Sequence, residues 1–454
     1  MPIRTSRSTL TLALTLLVSC DNAEPTQLLL TPPEEPEAAV AGKCPGETPL
    51  DAELPIWDLY LSTQAWDALH LDVAADVEVD ALLCVEGRAH PLQLELQGAS
   101  SRKHKKKSFD LKFADDAPLG AEAFGDDEVL PRVLLKGMAL DQTLVREALG
   151  FAAWRGMGHV APRTTFVNLR INGHYWGLYN LIEPIDHDFL ARYGFPPGGN
   201  LYKAVRTKQG RADFKPGRDL RTGFEDKSDQ ATDAWLDLKA LAGKLQRTSL
   251  QYGAFLRDID RVFPLTPYLD RMVWIAVTQN SDAVAQNFYL YNVPVDGHDA
   301  WTMLPWDSNV AFSGHWSDPN EVLGADISPM VDGGSWFGER LLMVPELRAQ
   351  YIARFRTLLD AELRSELLLE HLRELEAKVA HDLALDQARW QRRFTPEEAF
   401  DVVEQYLRDR PAVMLDALDA LEAAQEEDAG AGQDADAGKD AGPESHETGS
   451  QSDA

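Results

Sequence analysis

Asp282-Ala-Val-Ala-Gln-Asn287-Phe-Tyr-Leu-Tyr-Asn292, followed after a loop by Trp301-Thr-Met-Leu-Pro-Trp306-Asp307, decides how this chain is read. Phe288 to Asn292 and Trp301 to Leu304 are short, aromatic and apolar, as strands are, and Pro294, Asp296 and Gly297 between them are turn formers. A hairpin brings the start of its first strand beside the end of its second. Asp282, just before it, and Asp307, just after it, then share one mouth. Asn287 follows Asp282 with four residues between, the spacing of a phosphoryl-transfer loop. In such a loop the Asp accepts a hydroxyl proton and the Asn holds a metal, while a second Asp beyond a hairpin holds the metal that bridges the phosphates. Asp and Asn are also ordinary turn residues, so the same letters read as hairpin punctuation.

The composition leaves room for such a site. A chain of 454 residues with 44% hydrophobic and 9% aromatic content builds an ample core, in one large domain or two or three ordinary ones. A formal net charge of −29, from 44 Lys and Arg against 73 Asp and Glu, argues against nucleic acid and anionic membrane as general partners. Nine of those 73 acids sit in residues 426–454, a tail that repeats Asp-Ala-Gly and reads as disordered.

Residues 1–20 read as a targeting segment. Arg4 and Arg7 precede an apolar run from Leu10 to Val18, too short to span a bilayer permanently. Leu17-Val-Ser-Cys20 resembles a bacterial lipoprotein signal, which implies a lipid on Cys20, membrane attachment through it and a place in the cell envelope. An ordinary signal peptide is the alternative. Residues 21–46, with Pro32-Pro-Glu-Glu-Pro36, read as an extended linker, which leaves 47–425 for the folded domain. In an exported protein Cys44 and Cys84 read as one disulfide or as two free thiols, and nothing near them has zinc-ligand spacing.

The first half of the domain is rich in β signals. Ile56 to Leu61 and Val77 to Val85 have β character, and Leu92-Gln-Leu-Glu-Leu-Gln97 alternates as a half-buried strand does. Gly98-Ala-Ser-Ser-Arg102-Lys-His-Lys-Lys-Lys107 is a turn with a basic run, after which Phe109, Leu111 and Phe113 face one way and Asp110 and Lys112 the other. In an acidic chain such a cluster reads as an anion site that cradles phosphates, or as a solvated hairpin tip. Val133 to Leu135 reads as a strand. Gln142 to Met157 reads as a helix carrying Arg146, a ligand or a surface base. Thr164 to Ile171 and Trp176 to Ile182 form a hairpin turning at Asn172-Gly173. It runs into Glu183-Pro-Ile-Asp186, which has the form of a hinge whose backbone pairs with an adenine, although Pro184 removes one donor. Arg206 to Lys227 reads as a mobile loop or lid, and the Gly- and Asp-rich stretch from Asp307 to Gly338 as a long functional loop. Asp233 to Leu245, Pro267 to Gln279 and Glu339 to about Glu422 have helical spacing, with a capping box at Thr395-Pro-Glu-Glu398.

In this order the stretches resemble the bacterial spore-coat CotH kinase family. The residues that carry the resemblance are Gly98-Ala-Ser-Ser-Arg102 with Lys107-Ser-Phe-Asp-Leu-Lys-Phe113, Gly173-His-Tyr-Trp-Gly-Leu-Tyr-Asn-Leu-Ile-Glu183-Pro-Ile-Asp186 and Asn200-Leu-Tyr-Lys203. Asp282 with Asn287-Phe-Tyr-Leu-Tyr, Leu304-Pro-Trp-Asp307, Trp390 and Arg410 complete them. The resemblance implies an α+β, atypical protein-kinase-like, two-lobed fold with a β-rich N-terminal part and a helical C-terminal part. It further implies transfer of the γ-phosphoryl of ATP, with Mg or Mn, to Ser or Thr of exported or surface proteins. Carried over residue by residue, Asp282 looks like the catalytic Asp and Asp307 like a metal ligand, with Asn287 as a second metal contact. Glu183 to Ile185 would lie by the adenine, and Lys107, Lys112 and Arg146 are candidate phosphate contacts.

The chain departs from the family at Trp306-Asp307-Ser308-Asn309, where Trp-Asp-x-Asp is frequent, and at Gly98-Ala-Ser, where Gly-Asn-Ser is commoner. No Walker-type Gly-Lys-Ser/Thr is present. Two other readings therefore stay open: a catalytically silent surface adhesin or coat component, and a kinase-like fold that transfers AMP or another group.

Overall fold

A computed structural model describes residues 30–46, 49–124, 129–228, 235–246, 259, 263–294, 298–331 and 334–437. The targeting segment, the Asp296-Gly297 turn, the expected helix start at Asp233 and the tail beyond Ala437 lie outside the described residues.

Alternation of apolar and polar residues builds the N-terminal part. Strands β1 (Ile56–Tyr60), β2 (Glu78–Val85), β3 (Arg88–Leu96), β4 (Phe109–Phe113), β7 (Arg132–Lys136), β8 (Thr164–Ile171) and β9 (His174–Ile182) close into a barrel. Its order is β1-β2-β3-β4-β7-β9-β8, and the two-residue strands β5 (Leu119–Gly120) and β6 (Val129–Leu130) pair separately. Neighbours run antiparallel except β1 and β8, whose parallel pairing closes the ring. Leu92, Leu94 and Leu96 of β3 and Phe109, Leu111 and Phe113 of β4 fill the barrel together with Val133, Leu135, Tyr179 and Leu181. The period of two turns Lys112 and Lys136 outward. The Cys44–Cys84 disulfide, with Cα atoms 5.7 Å apart, fastens the approach segment to β2.

The C-terminal part is built on a second sheet of order β11-β10-β12-β13, made by β10 (Asn200–Ala204), β11 (Phe224–Asp226), β12 (Phe288–Asn292) and β13 (Trp301–Pro305). Helices Leu265–Thr278, Pro345–Asp360, Ser365–Trp390 and Pro396–Ala437 share one large core with it. The architecture is thus α+β, β-rich first and helical last. Thr395 and Glu398 exchange both capping bonds (2.9 and 3.2 Å). The helix they start continues to Ala437, inside the segment whose composition predicts disorder. Alanines such as Ala423, Ala424 and Ala429 give that segment helix propensity.

Two further features position the site. Arg206 to Lys227, expected as a mobile lid, is packed in place. Phe214 and Phe224 meet in the core with centroids 5.5 Å apart, buried Asp213 receives Arg211 and Arg218 at 3.1 Å each, and Ala212 N donates to Ala285 O at 2.9 Å. The Ser365–Trp390 helix also lies along the barrel. Asp382 accepts from the backbone of Glu53 (3.1 Å) and Leu54 (2.7 Å), Asp386 accepts from Leu178 N (3.0 Å) and Lys106, and Trp390 donates to Trp176 O (2.9 Å).

Candidate active site

The Leu265–Thr278 helix ends at Gln279 in a left-handed backbone, and a 3₁₀ turn, Ser281–Ala283, presents Asp282. β12 and β13 pair from Phe288↔Pro305 to Asn292↔Trp301, so the hairpin forms in the register its aromatic residues imply. Asn287 N donates to Ala204 O of β10 (3.0 Å), and Asn287 O accepts from Trp306 N (3.2 Å). Asn287 (φ 59°) and Asp307 (φ 49°) are both left-handed, a backbone that non-glycine residues hold at a cost and that concentrates at functional sites.

Asp282, Asn287 and Asp307 are brought together. Asn287 Nδ2 donates to Asp282 Oδ2 at 2.9 Å, and Gln286 Nε2 donates to the other oxygen. Burial, and after it the charge of Asp307, raise the pKa of Asp282; the bonds from Asn287 and Gln286 and the charge of Arg206 oppose the shift.

A cation completes the cluster. Lys136, at the end of β7, places Nζ 2.9 Å from Asp307 Oδ1 and 2.8 Å from Glu147 Oε1, the latter on the first turn of the Arg146–Gly156 helix. Burial pulls Lys136 down, but Asp307 and Glu147 outweigh it and its pKa ends raised. Burial pushes Glu147 up to about 7, with Lys136 opposing and Asp307 adding. Ser308, next to Asp307, sits against Gly150 of the same helix so closely that a Cβ there would lie 2.4 Å from Ser308 Oγ. The helix tolerates a glycine here because the Asp307 segment needs the space.

Lys136 and Glu147 carry no local signal beyond a strand end and a helix start, so neither stands out in the sequence. Lys107, Lys112 and Arg146, expected as phosphate contacts, are engaged elsewhere. Lys107 donates to Arg102 O (2.5 Å) inside the Gly98 turn. Lys112, turned outward by the alternation of β4, meets Glu78 and Glu95. Arg146 bonds Asp141 (2.6 Å) and Phe312 O (3.2 Å), bracing the segment after Asp307. Half of the basic run is thus internal, since Arg102 pairs with Asp76 and Glu95 and Lys106 with Asp386, while Lys103 and Lys105 are exposed. Glu183 is buried, and its carboxylate is taken by Arg163 (3.1 Å) and Arg192, while Ile185 lies in the core. Arg410, also buried, donates to Ala276 O (3.0 Å), Ala325 O, Ile327 O (3.2 Å) and Ser328 O (3.2 Å). It joins the helix that leads to Asp282 with the loop that follows Asp307.

A family model described as CotH kinase protein matches residues 94–414. The chain belongs to the CotH kinase family. Among curated proteins it is similar to the inner spore coat protein H of Bacillus subtilis (strain 168), 22% identical over 383 residues that cover 82% of this chain and 99% of that one. Among solved structures, a chain of the Shewanella oneidensis MR-1 toxin–antitoxin system HipA, HipB and its operator DNA complex aligns over 65% of this chain and 63% of that one. Its identity is 12% and its TM-score 0.26, too little shared geometry for either chain to be read from the other. The matched range holds all of Lys136, Glu147, Asp282, Asn287 and Asp307, so the whole cluster lies inside a kinase-like domain.

Among the described residues no group of three or more His, Cys, Asp or Glu side chains has the arrangement of a metal cage. The residues still fit a divalent ion of the kind that arrives with a nucleotide, because Mg takes only one or two carboxylates from the protein and the rest from phosphate and water. Asp307 would be such a carboxylate, with Asn287, bonded to Asp282 at 2.9 Å, as the further contact.

Proposed function

We propose that this chain is an atypical protein kinase that transfers the γ-phosphoryl of ATP to Ser or Thr of exported or surface proteins. The observation that carries the reading is the convergence of Lys136, Glu147 and Asp307 beside Asp282 and Asn287. Protein kinases need a strand lysine paired with a helix glutamate together with a metal-binding Asp, and their chemistry is mostly positioning and electrostatic stabilisation. In this reading Glu147 fixes the Lys136 ammonium, which faces the phosphates. Asp282, oriented by Asn287 and Gln286, accepts the proton of the acceptor hydroxyl as its oxygen attacks phosphorus and the bond to the ADP oxygen breaks. Its raised pKa suits a general base. Asp307 and Asn287 would hold Mg or Mn, which supplies neutralisation of phosphate charge. The Glu183–Ile185 segment would meet the adenine through its backbone, its carboxylate being committed. We further propose a cell-envelope location with a lipid on Cys20, on the strength of the Leu17-Val-Ser-Cys20 stretch.

Intact mass after incubation with ATP and Mg or Mn, beside Asp282→Ala and Asp307→Ala, tests the activity. Whole phosphate masses gained by the wild type and absent from both variants are expected. A gain of AMP-sized mass would make this a nucleotidyl transferase. No gain on the chain or on any added envelope protein, with no stabilisation by ATP, would remove the kinase reading.

A further inference from the structure

We propose that Lys203 binds the terminal phosphoryl groups of the nucleotide, as a second cation on the Trp306 ring that Lys136 also meets. The inference rests on the nucleotide reading above and goes beyond it in assigning a residue. Lys203 lies on β10 beside Tyr289 of β12, which lies beside Leu304 of β13, two residues before Trp306. Its ammonium is 5.8 Å from the centroid of the Trp306 ring, and that of Lys136 is 5.1 Å from the same ring. Trp306 is buried and packs edge-on against Tyr289, with centroids 5.7 Å apart. One fixed ring therefore gathers two ammonium groups at the backbone step that leads to Asp307.

The two lysines differ in what meets their charge. Lys136 has Glu147 and Asp307. For Lys203 no carboxylate among the described residues lies within ion-pair distance. Its cross-strand neighbour Glu225 gives its carboxylate to Lys227 at 3.1 Å. Leu201, Tyr202 and Ala204 around it are buried, so the strand holds Lys203 in place. Burial lowers its pKa, Glu225 and Asp307 raise it, and Lys227 and Lys136 lower it further. Burial is what makes this ammonium costly, and an anion that joins it offsets that cost. An anion with several charged oxygens serves both lysines at once, and a di- or triphosphate is that kind of anion. Lysine acts toward such groups as a point charge and needs no bidentate geometry.

The test is calorimetric binding of ATP, ADP and AMP, each with Mn, to the full chain and to Lys203→Met and Lys203→Arg. Lys203→Met should weaken ATP and ADP by about tenfold or more and leave AMP within about twofold, while Lys203→Arg keeps most of the ATP affinity. Equal ATP affinity in the wild type and Lys203→Met overturns the proposal and leaves the nucleotide reading standing. A wild type that binds no ATP with Mg or Mn overturns that reading, and this inference falls with it. Should Lys203→Met fail to fold, the unaltered chain gives the answer through acylation of Lys203 followed by peptide mass. ATP should slow the labelling several-fold and AMP should not. Equal rates with and without ATP overturn the proposal.

Discussion

Lys136 Nζ lies 2.9 Å from Asp307 Oδ1 across 171 residues of sequence, and this contact joins the barrel to the hairpin of the other sheet. Glu147 fixes its direction from a third element. Lys136→Met leaves two carboxylates facing one another without their cation, and removing one partner of a buried pair costs about 3–5 kcal/mol. Urea denaturation should show a loss of that order. Lys136→Met/Glu147→Gln should recover part of the stability and none of the phosphoryl transfer.

Glu147 sets a dependence on pH. An unperturbed glutamate titrates at 4.5, whereas burial holds this one up to about 7 in the folded chain. Folding therefore takes up a proton between those values, and stability falls as pH rises through the window. Thermal melts should show the wild type losing ground to Glu147→Gln from about pH 5 to about pH 7.5. A constant difference across that range would mean that Glu147 titrates as an exposed carboxylate does.

Gly150→Ala separates helix propensity from site geometry. Alanine favours a helix interior over glycine by about 1 kcal/mol. Here its Cβ would lie 2.4 Å from Ser308 Oγ and 2.9 Å from Ser308 Cβ. The variant should keep its helix content by circular dichroism while phosphoryl transfer drops, because Ser308 moves and Asp307 with it. Gly150→Ala/Ser308→Gly, which removes both clashing atoms, should restore the transfer.

Arg410 is 1% exposed and holds four carbonyl-bearing residues from two segments. Arg410→Met should cost about 3–5 kcal/mol in chemical denaturation, since it leaves buried acceptors unpaired. Arg410→Lys should recover little of this, because an ammonium cannot span the positions reached by a planar guanidinium.

The hairpin from Asp282 to Asp307, the turn at Asn172-Gly173, the strand of Leu92 to Leu96 and the capping box at Thr395 are legible in the sequence. Each is decided by residues close together in the chain: alternation, turn formers, a side-chain oxygen three residues from its partner. The Lys136–Glu147 pair is decided instead by how the barrel closes and how one helix docks on it, and no local pattern records that. The crowded bases between Arg102 and Lys107 drew the phosphate reading because charge density is visible in sequence while the partner of a charge is not. Asp386, which neutralises Lys106, lies 280 residues away. Arg146 was one position from Glu147, and on a helix one position turns the side chain by about 100°. The lid reading of Arg206 to Lys227 failed in the same way, since its polarity conceals the anchoring by Phe214 and Asp213.

Asp382 and Asp386 stand about one turn apart on a helix rooted in the C-terminal part, and both grip main-chain amides around the barrel. That helix is a rivet through the two halves of the molecule. A riveted pair of jaws resists gaping, so on the proposed kinase reading the motion that admits substrate falls to the segments flanking Asp282 and Asp307.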